Sequence, residues 1–166
     1  LHLIDINRES VDLGVRWGRG EWPGLVVEPL LHAHPTPVCS PDLISGERPL
    51  REPRDLAQHT LVHEQDFQEW VEWLTAAGFP EVDGRRGPII DNSTALLRAV
   101  LDGNGVMMGI PALLDDELKS GRLVAPFETA VHEDFGYYLV YRPAAAELPK
   151  VRTFREYLMS EVESDV

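Results

Sequence analysis

Two adjacent hydroxyl side chains, Ser93 and Thr94, follow the apolar pair Ile89-Ile90 and open a segment of helical periodicity. We expect Ile89-Ile90 to be a buried strand that runs directly into this helix, with Asp91-Asn92-Ser93 supplying its N-cap. The first turn of a helix has free backbone N–H groups and a partial positive charge, so it attracts carboxylates and phosphates. We therefore expect Ser93 and Thr94 to hydrogen-bond a ligand carboxylate. Plain N-capping by these hydroxyls is the alternative, and one residue could serve each purpose.

A histidine and an arginine at the ends of two other predicted strands are further candidates for ligand contacts. His63 closes the short extended segment 60–63, where it is either a ligand contact or a surface histidine. Arg16 lies near the end of an alternating segment and could hold an anionic ligand through two parallel hydrogen bonds. A structural ion pair of Arg16 with Asp12 or Glu28 is the alternative.

The residue types needed for catalysis or metal binding do not form a recognisable pattern. His32, His34 and Cys39 offer the nitrogen and sulfur ligands that zinc favours, but a fourth ligand at fixed spacing is missing and Pro35 intervenes. The chain has no Gly-x-Ser-x-Gly or His-Glu-x-x-His motif. We therefore expect no enzyme activity, no metal and no cofactor. The single cysteine excludes an intramolecular disulfide, fits a reducing cytoplasm and is expected to be a small buried hydrophobe.

The charge balance argues against nucleic-acid binding by this stretch of chain. Its 166 residues include 28 acidic and 15 basic side chains, for a net charge of −13. A DNA-binding surface needs clustered basic residues, whereas the densest basic pair here, Arg85-Arg86, stands alone in a predicted turn. No apolar run approaches the ~20 residues that span a bilayer, and no secretory signal opens the chain. We expect a cytoplasmic location without membrane contact.

Hydrophobic periodicity predicts strands that alternate with helices. Alternating apolar residues from Val11 to Trp17 predict a half-buried strand. Apolar spacings of three and four predict amphipathic helices at 67–77, at 96–101 and at the C-terminus, where Val151, Phe154, Leu158 and Val162 share one face. Such alternation favours parallel βαβ units, with ligands beyond the carboxyl ends of the strands. The remaining predictions are strands at 25–31, 37–39, 60–63, 106–110, 123–124 and 137–141, a short helix at 53–57, and a helix from Pro111 to Gly121.

A series of short motifs, in order along the chain, resembles the LysR-type transcriptional regulators. The wording is nearest to the subgroup that contains the glycine-cleavage activator and the β-lactamase regulator. The resemblance extends from about residue 1 to residue 158. It rests on residues 11–18 with 22–25, and on 37–41, 55–61, 70–78, 91–106, 121–127 and 137–141.

The resemblance implies an α/β fold like that of type-2 periplasmic binding proteins, with two lobes, two crossover strands and an effector in the cleft. The first lobe would comprise residues 1–38 and 132–166, and the second residues 39–131. The crossovers would fall near 38–40 and 131–134. Family members have a winged helix-turn-helix, a linker helix and a first strand and helix before the position of Leu1. We therefore expect an N-terminally truncated chain whose first lobe is incomplete, with an exposed strand edge near residues 3–5.

The resemblance also implies which residues line the effector site. Phe135 and Tyr138 would lie just past the second crossover, where this subgroup has a tyrosine in the pocket. Strand alternation sends Tyr137 and Tyr138 to opposite faces, so one of the two packs in the core. The expected effector-binding set is Ser93, Thr94, His63, Trp17, Arg16, Phe135 and Tyr138.

The function implied by the resemblance is that of a ligand-sensing regulatory domain. A small organic effector, such as an amino acid or a cell-wall fragment, would bind and transmit a conformational change to a DNA-binding domain. Promoter DNA would be bound only through that missing N-terminal domain, and the sensor domains would pair into a homo-oligomer. A periplasmic-type solute-binding protein of a transporter is the alternative, and an enzyme on the same scaffold is a third hypothesis.

Overall fold

The computed structural model describes residues 11–32, 34–127 and 135–164, and these form two compact units. Unit 1 contains residues 11–32 and 135–164, and unit 2 contains residues 34–127. The predicted lobe boundaries, 1–38 with 132–166 and 39–131, stay a prediction. The strand edge near residues 3–5 and the second crossover near 131–134 lie outside the described residues. None of the described helices is long and apolar enough to cross a bilayer.

The order of strands and helices follows the apolar pattern of the sequence closely. The strands are β1 (Leu13–Gly18), β2 (Val26–His32), β3 (Thr36–Cys39), β4 (Leu61–Val62), β5 (Val106–Gly109) and β6 (Gly136–Tyr141). The α-helices are α1 (Asp42–Ser45), α2 (Gln68–Ala76), α3 (Ser93–Leu101), α4 (Asp115–Lys119) and α5 (Pro149–Ser164). Turns of 3-10 helix span Pro53–Gln58, Pro111–Leu113 and Pro143–Ala145.

Unit 1 is an antiparallel sheet of order β1-β6-β2 with α5 packed on one face. The strand predicted from alternation is present as β1, in which Val15 and Trp17 pair with Leu139 and Tyr137 while Arg16 pairs with Tyr138. Its predicted apolar face is not buried throughout, because Val15 is 50% exposed. Directly paired residues share a face of an antiparallel sheet, and neighbours along a strand alternate. The core beneath α5 consists of Leu30, Leu139, Tyr141, Ala145 and Val151.

Helix α5 buries a stripe that differs slightly from the predicted one. Val151 is buried, and Leu158, Met159 and Val162 pack against the same core. The prediction that Phe154 shares this face is wrong, since its side chain is 43% exposed. At about 100° per residue, Phe154 lies roughly 60° from Val151 on the side away from Met159, at the margin of the buried stripe.

Unit 2 is a mixed sheet of order β3-β5-β4 with helices on both faces. Two rows of side chains cross its three strands. Cys39, Val106 and Leu61 belong to the core covered by Trp70, Trp73 and Leu74 of α2. Val38, Met107 and Val62 belong to the core covered by Leu96 and Val100 of α3. The sheet is therefore covered on both faces, as predicted.

The predicted parallel βαβ arrangement is present once: among the described strands only β4 and β5 pair in parallel, with α2 and α3 between them, and the other named pairs are antiparallel. Two of the predicted strands are wrong. Ile89-Ile90 is not a buried strand: Ile89 forms a single bridge with His63 and is 45% exposed, since Pro88 has no N–H with which to extend a ladder. Val124 likewise forms only an isolated bridge, with Cys39.

The helix predicted from Pro111 to Gly121 is divided. A 3-10 turn ends at Leu113, and α4 begins at Asp115. Between them the backbone of Leu114 leaves helical geometry, with φ −122° and ψ 21°, and its side chain enters the core beneath α3. Burial of this one leucine therefore interrupts the helix.

Candidate functional site

The first turn of α3 is capped by Asn92. Its Oδ1 accepts a hydrogen bond from the Ala95 N–H at 2.9 Å, and its backbone carbonyl accepts one from Leu96 at 2.9 Å. N-capping by Ser93 or Thr94, the alternative considered above, is therefore wrong. Ser93 and Thr94 are the first two helical residues, both are exposed, and their N–H groups have no acceptor within the helix.

The hydroxyl of Ser93 donates a hydrogen bond to the carboxylate of Glu64. Glu64 is partly buried and follows His63, whose bridge to Ile89 holds the two chain segments side by side. A negative charge near the N-terminus of a helix is stabilised by the free N–H groups. Glu64 was missed in the sequence analysis because it is 29 residues from Ser93 and lies in no motif. It adds a fixed acceptor to the predicted anion site.

His63 is buried, with only 2% of its surface exposed, so the prediction of a surface histidine is wrong. Its ring Nε2 donates to the carbonyl of Arg86 at 2.8 Å, because a carbonyl can only accept. The ring lies edge-to-face against Phe67, with centroids 4.6 Å apart. The other ring nitrogen, Nδ1, is buried and has no hydrogen-bond partner.

In unit 1, Arg16 and Tyr138 lie opposite each other on β1 and β6 and share a neighbour in Trp22. The Arg16 guanidinium carbon is 6.0 Å from the centre of the Trp22 ring, and the Trp22 and Tyr138 rings are 5.6 Å apart. Gly20, at φ +80°, lies against the tyrosine, where an added Cβ would approach its Cε1 to 3.0 Å. Close packing of this loop on Tyr138 therefore requires a glycine.

Trp17 and Phe135 form a separate cluster on the other face of the same sheet. The Trp17 ring is 5.7 Å from Phe135 and 5.1 Å from Tyr137, which packs against the core beneath α5. Arg19 covers Phe135, with its guanidinium carbon 5.1 Å from the ring centre. The four aromatic and basic residues predicted for unit 1 thus divide into two pairs, Arg16 with Tyr138 and Trp17 with Phe135.

The two carboxylates considered as partners of Arg16 form ion pairs with other residues. Glu28 accepts two hydrogen bonds from Arg155 Nε, at 2.6 and 2.8 Å, and one from the Tyr141 hydroxyl. Burial and the neighbouring Glu28 carboxylate raise the pKa of Tyr141. Asp12 pairs with Lys150 at 2.5 Å. These bonds attach α5 to the sheet of unit 1.

The cysteine considered as a metal ligand is part of the core of unit 2. Cys39 is fully buried, as predicted for a small hydrophobe, and burial raises the pKa of its thiol to about 11. A protonated thiol is a poor metal ligand. Across the described ranges, no group of three or more His, Cys, Asp or Glu side chains has an arrangement that could hold a metal ion.

Comparison with known proteins assigns the chain to a family. Residues 2–163 match the model of the LysR substrate-binding domain. The glycine cleavage system transcriptional activator of Escherichia coli K12 is 36% identical over 157 residues, which cover 95% of this chain and 52% of that protein. The HTH-type transcriptional activator AmpR of Pseudomonas aeruginosa is 32% identical over 157 residues, covering 94% of this chain and 52% of that protein. The chain thus spans about half the length of these relatives.

Solved structures agree with this assignment. The effector domain of AmpR of Pseudomonas aeruginosa superposes with a TM-score of 0.79 at 31% identity, covering 98% of this chain and 76% of that one. The AmpR effector-binding domain of Citrobacter freundii gives a TM-score of 0.80 at 27% identity and coverages of 98% and 80%. The predicted α/β fold of the type-2 periplasmic-binding-protein kind is confirmed. The transporter alternative is not favoured, because these relatives are transcriptional regulators. The chain belongs to the LysR family, as a LysR substrate-binding domain.

Proposed function

We propose that this chain is the ligand-sensing part of a bacterial transcriptional regulator and that it binds a small organic effector. The family match and the regulator relatives support this role. The observation that carries the proposed site is the exposed first turn of α3, which the Ile89–His63 bridge and the Ser93–Glu64 hydrogen bond place beside the carboxyl end of β4. Ligands of α/β folds bind at such ends of strands. We expect the N–H groups of Ser93 and Thr94 to bind an acceptor group of the effector.

Glu64 narrows the chemistry that this site would accept. Its carboxylate already receives the Ser93 hydroxyl, so a purely anionic ligand would meet a like charge. A ligand that presents a carboxylate to the N–H groups and a hydrogen-bond donor to Glu64 gives the helix N–H groups and the Glu64 carboxylate each a partner. Ammonium and hydroxyl groups are such donors. We therefore propose an effector that has a carboxylate with a donor group close to it, as amino acids and peptides have.

In unit 1 we propose Arg16 and Tyr138 as the effector-contacting pair. The guanidinium and phenol provide hydrogen-bonding groups beside the Trp22 ring. Trp17 and Phe135, which pack with Tyr137 and Arg19, are proposed to stabilise the sheet instead.

The proposed sensor role also has consequences for DNA binding, location and oligomeric state. With a net charge of −13, this part of the protein would leave promoter DNA to a separate DNA-binding segment. Such a regulator acts in the cytoplasm, without an enzymatic step, and we propose that its sensor domains pair into a homo-oligomer. Light scattering at increasing chain concentration tests the pairing, and a monomer mass throughout would contradict it.

A ligand screen tests the proposed site. Thermal unfolding of the chain would be measured with a panel of amino acids, small hydroxy- and dicarboxylates and peptidoglycan fragments. The compound that raises Tm most would then be titrated calorimetrically into the wild type and into the double variant Ser93→Ala/Thr94→Ala. We expect roughly two- to tenfold weaker binding to the variant, because the Ser93 hydroxyl is bonded to Glu64 and only the Thr94 hydroxyl is proposed to donate to the ligand carboxylate beside the N–H groups, a contact of about 0.5–1.5 kcal/mol.

The matched control removes two exposed hydroxyls of other helices. Thr75 donates to the Val71 carbonyl and Ser120 to the Asp116 carbonyl, each four residues back in its own helix. Thr75→Ala/Ser120→Ala should therefore bind the ligand like the wild type. Unchanged affinity in Ser93→Ala/Thr94→Ala would remove these hydroxyls from the site.

A further inference from the structure

We propose that His63 is a positioning residue: it sets the location of the α3 N-terminus by holding the segment 86–90 against β4. The inference rests on the proposed effector site at Ser93 and Thr94, and it assigns to His63 an indirect role in place of the ligand contact expected from the sequence. With 98% of its surface buried and its ring enclosed, His63 would act through its neighbours.

Three hydrogen bonds connect His63 to the segment. The ring Nε2 donates to the Arg86 carbonyl at 2.8 Å, the backbone N–H donates to Pro88 at 3.0 Å, and the backbone carbonyl accepts from Ile90 at 2.8 Å. The ring is the only one of the three groups that belongs to the side chain. It therefore offers a direct way to loosen the segment without altering the backbone.

The segment lies unusually close to β4. Gly87 has φ +106°, and a Cβ added there would lie 1.9 Å from the Leu61 carbonyl oxygen. The Arg86 guanidinium also donates to the carbonyls of Leu56 and Ala57, at 3.3 and 2.8 Å. The His63 ring therefore bonds to the carbonyl of Arg86, the residue before Gly87, and Gly87 permits the close approach of the segment to β4.

The segment leads directly into the capped end of α3. The Ile90 N–H binds His63, and the Ile90 carbonyl accepts from the Asn92 N–H at 2.8 Å. Asn92 in turn caps the helix through Ala95 and Leu96. A continuous path of hydrogen bonds thus runs from His63 to the cap of the helix turn in which the N–H groups of Ser93 and Thr94 are proposed to bind the effector.

Native-state hydrogen exchange of the whole 166-residue chain tests the inference. The variant His63→Leu keeps an apolar side chain in the pocket but loses the bond to Arg86. The amides of Ile90, Ala95 and Leu96 should exchange roughly tenfold faster in this variant than in the wild type, relative to the amide of Ala77, the C-cap of α2, which donates to the Trp73 carbonyl. His63→Gln can still donate to the Arg86 carbonyl and should restore most of the protection.

The outcomes separate this inference from the proposed function. Equal acceleration at Ala77 and at the α3 amides would show a general loss of stability, and unchanged exchange would show no coupling; either result overturns the positioning role. A parallel titration with sodium acetate follows the NMR shifts of the Ser93 and Thr94 amides. Wild-type amides that do not respond to acetate would argue against the carboxylate site, whereas the exchange result judges His63 without any ligand.

Discussion

The hydroxyl of Ser93, the first residue of α3, donates a hydrogen bond to the carboxylate of Glu64 at the end of the β4 segment. This contact joins two parts of unit 2 that are 29 residues apart in sequence. It also means that a protein carboxylate stands at the helix terminus proposed to bind the carboxylate of an effector. Replacing the charge of Glu64 should therefore affect ligand binding and the stability of the fold in opposite directions.

Glu64→Gln should strengthen carboxylate binding while weakening the fold slightly. Removal of a negative charge at a helix N-terminus costs about 0.5 kcal/mol of stability, and the same charge no longer repels an incoming anion. Acetate binding, followed by amide NMR shifts, should tighten roughly two- to fivefold. Glu47→Gln, a change at an exposed glutamate in unit 2, is the matched control and should leave acetate binding unchanged. Weaker acetate binding in Glu64→Gln would contradict the account.

Asn92→Ala should reduce the free energy of unfolding by about 1 kcal/mol, because the Ala95 N–H loses its capping acceptor. Urea denaturation monitored by circular dichroism measures this change. Asn92→Asp keeps a capping oxygen and should remain within about 0.5 kcal/mol of the wild type. A cap of no energetic importance would leave the urea midpoint of Asn92→Ala unchanged.

Gly87→Ala should destabilise the chain by at least about 3 kcal/mol. The added Cβ would lie 1.9 Å from the Leu61 oxygen, and the alanine would also have to adopt a positive φ. Gly103 is a matched control, because it has a φ of +78° but no atom within 4 Å of an added Cβ. Gly103→Ala should therefore cost only about 1–2 kcal/mol, the strain of the backbone alone. Equal thermal stability of the two variants would contradict the close approach of this segment to β4.

Acid should destabilise the chain in part through His59. Burial lowers the pKa of its imidazole below the ordinary value of 6.5, and its Nε2 is buried without a partner. The unfolded chain therefore takes up this proton more readily, so the contribution of His59 is fully present above pH 6.5 and is lost as the pH falls below that value. Between pH 7.5 and 5.5 the unfolding free energy of the wild type should fall relative to that of His59→Gln. Urea denaturation of both chains at each pH measures this change. A difference in unfolding free energy between the two chains that is the same at pH 7.5 and at pH 5.5 would contradict the assignment.

Much of the fold was predictable because it follows from local apolar spacing. Strand alternation placed β1 and β6, and helical periodicity placed α2 and α3, with the N-cap of α3 falling within the predicted Asp91-Asn92-Ser93. The depth of burial was harder to predict because it depends on distant segments. His63 is buried because residues 86–90 cover it, and Ile89 is exposed because that segment does not extend the sheet.

The candidate site was only partly predictable for the same reason. The helix terminus with Ser93 and Thr94 is a local feature, and the sequence contains all of it. The acceptor of the Ser93 hydroxyl, Glu64, is supplied by another element, and no spacing rule connects the two. In unit 1, alternation alone separates Arg16 from Trp17, although the resemblance had grouped them together.

The most direct test of the central claim is an NMR titration of the chain with the effector found in the thermal screen. The largest amide shift changes in unit 2 are predicted at Ser93, Thr94 and Ala95. Ser93→Pro removes both the hydroxyl and the N–H of the first helical position, where proline is compatible with a helix. This variant should retain the fold and bind the effector at least tenfold more weakly. Wild-type affinity in Ser93→Pro, or shift changes confined to residues away from the start of α3, would contradict an effector site at this helix terminus.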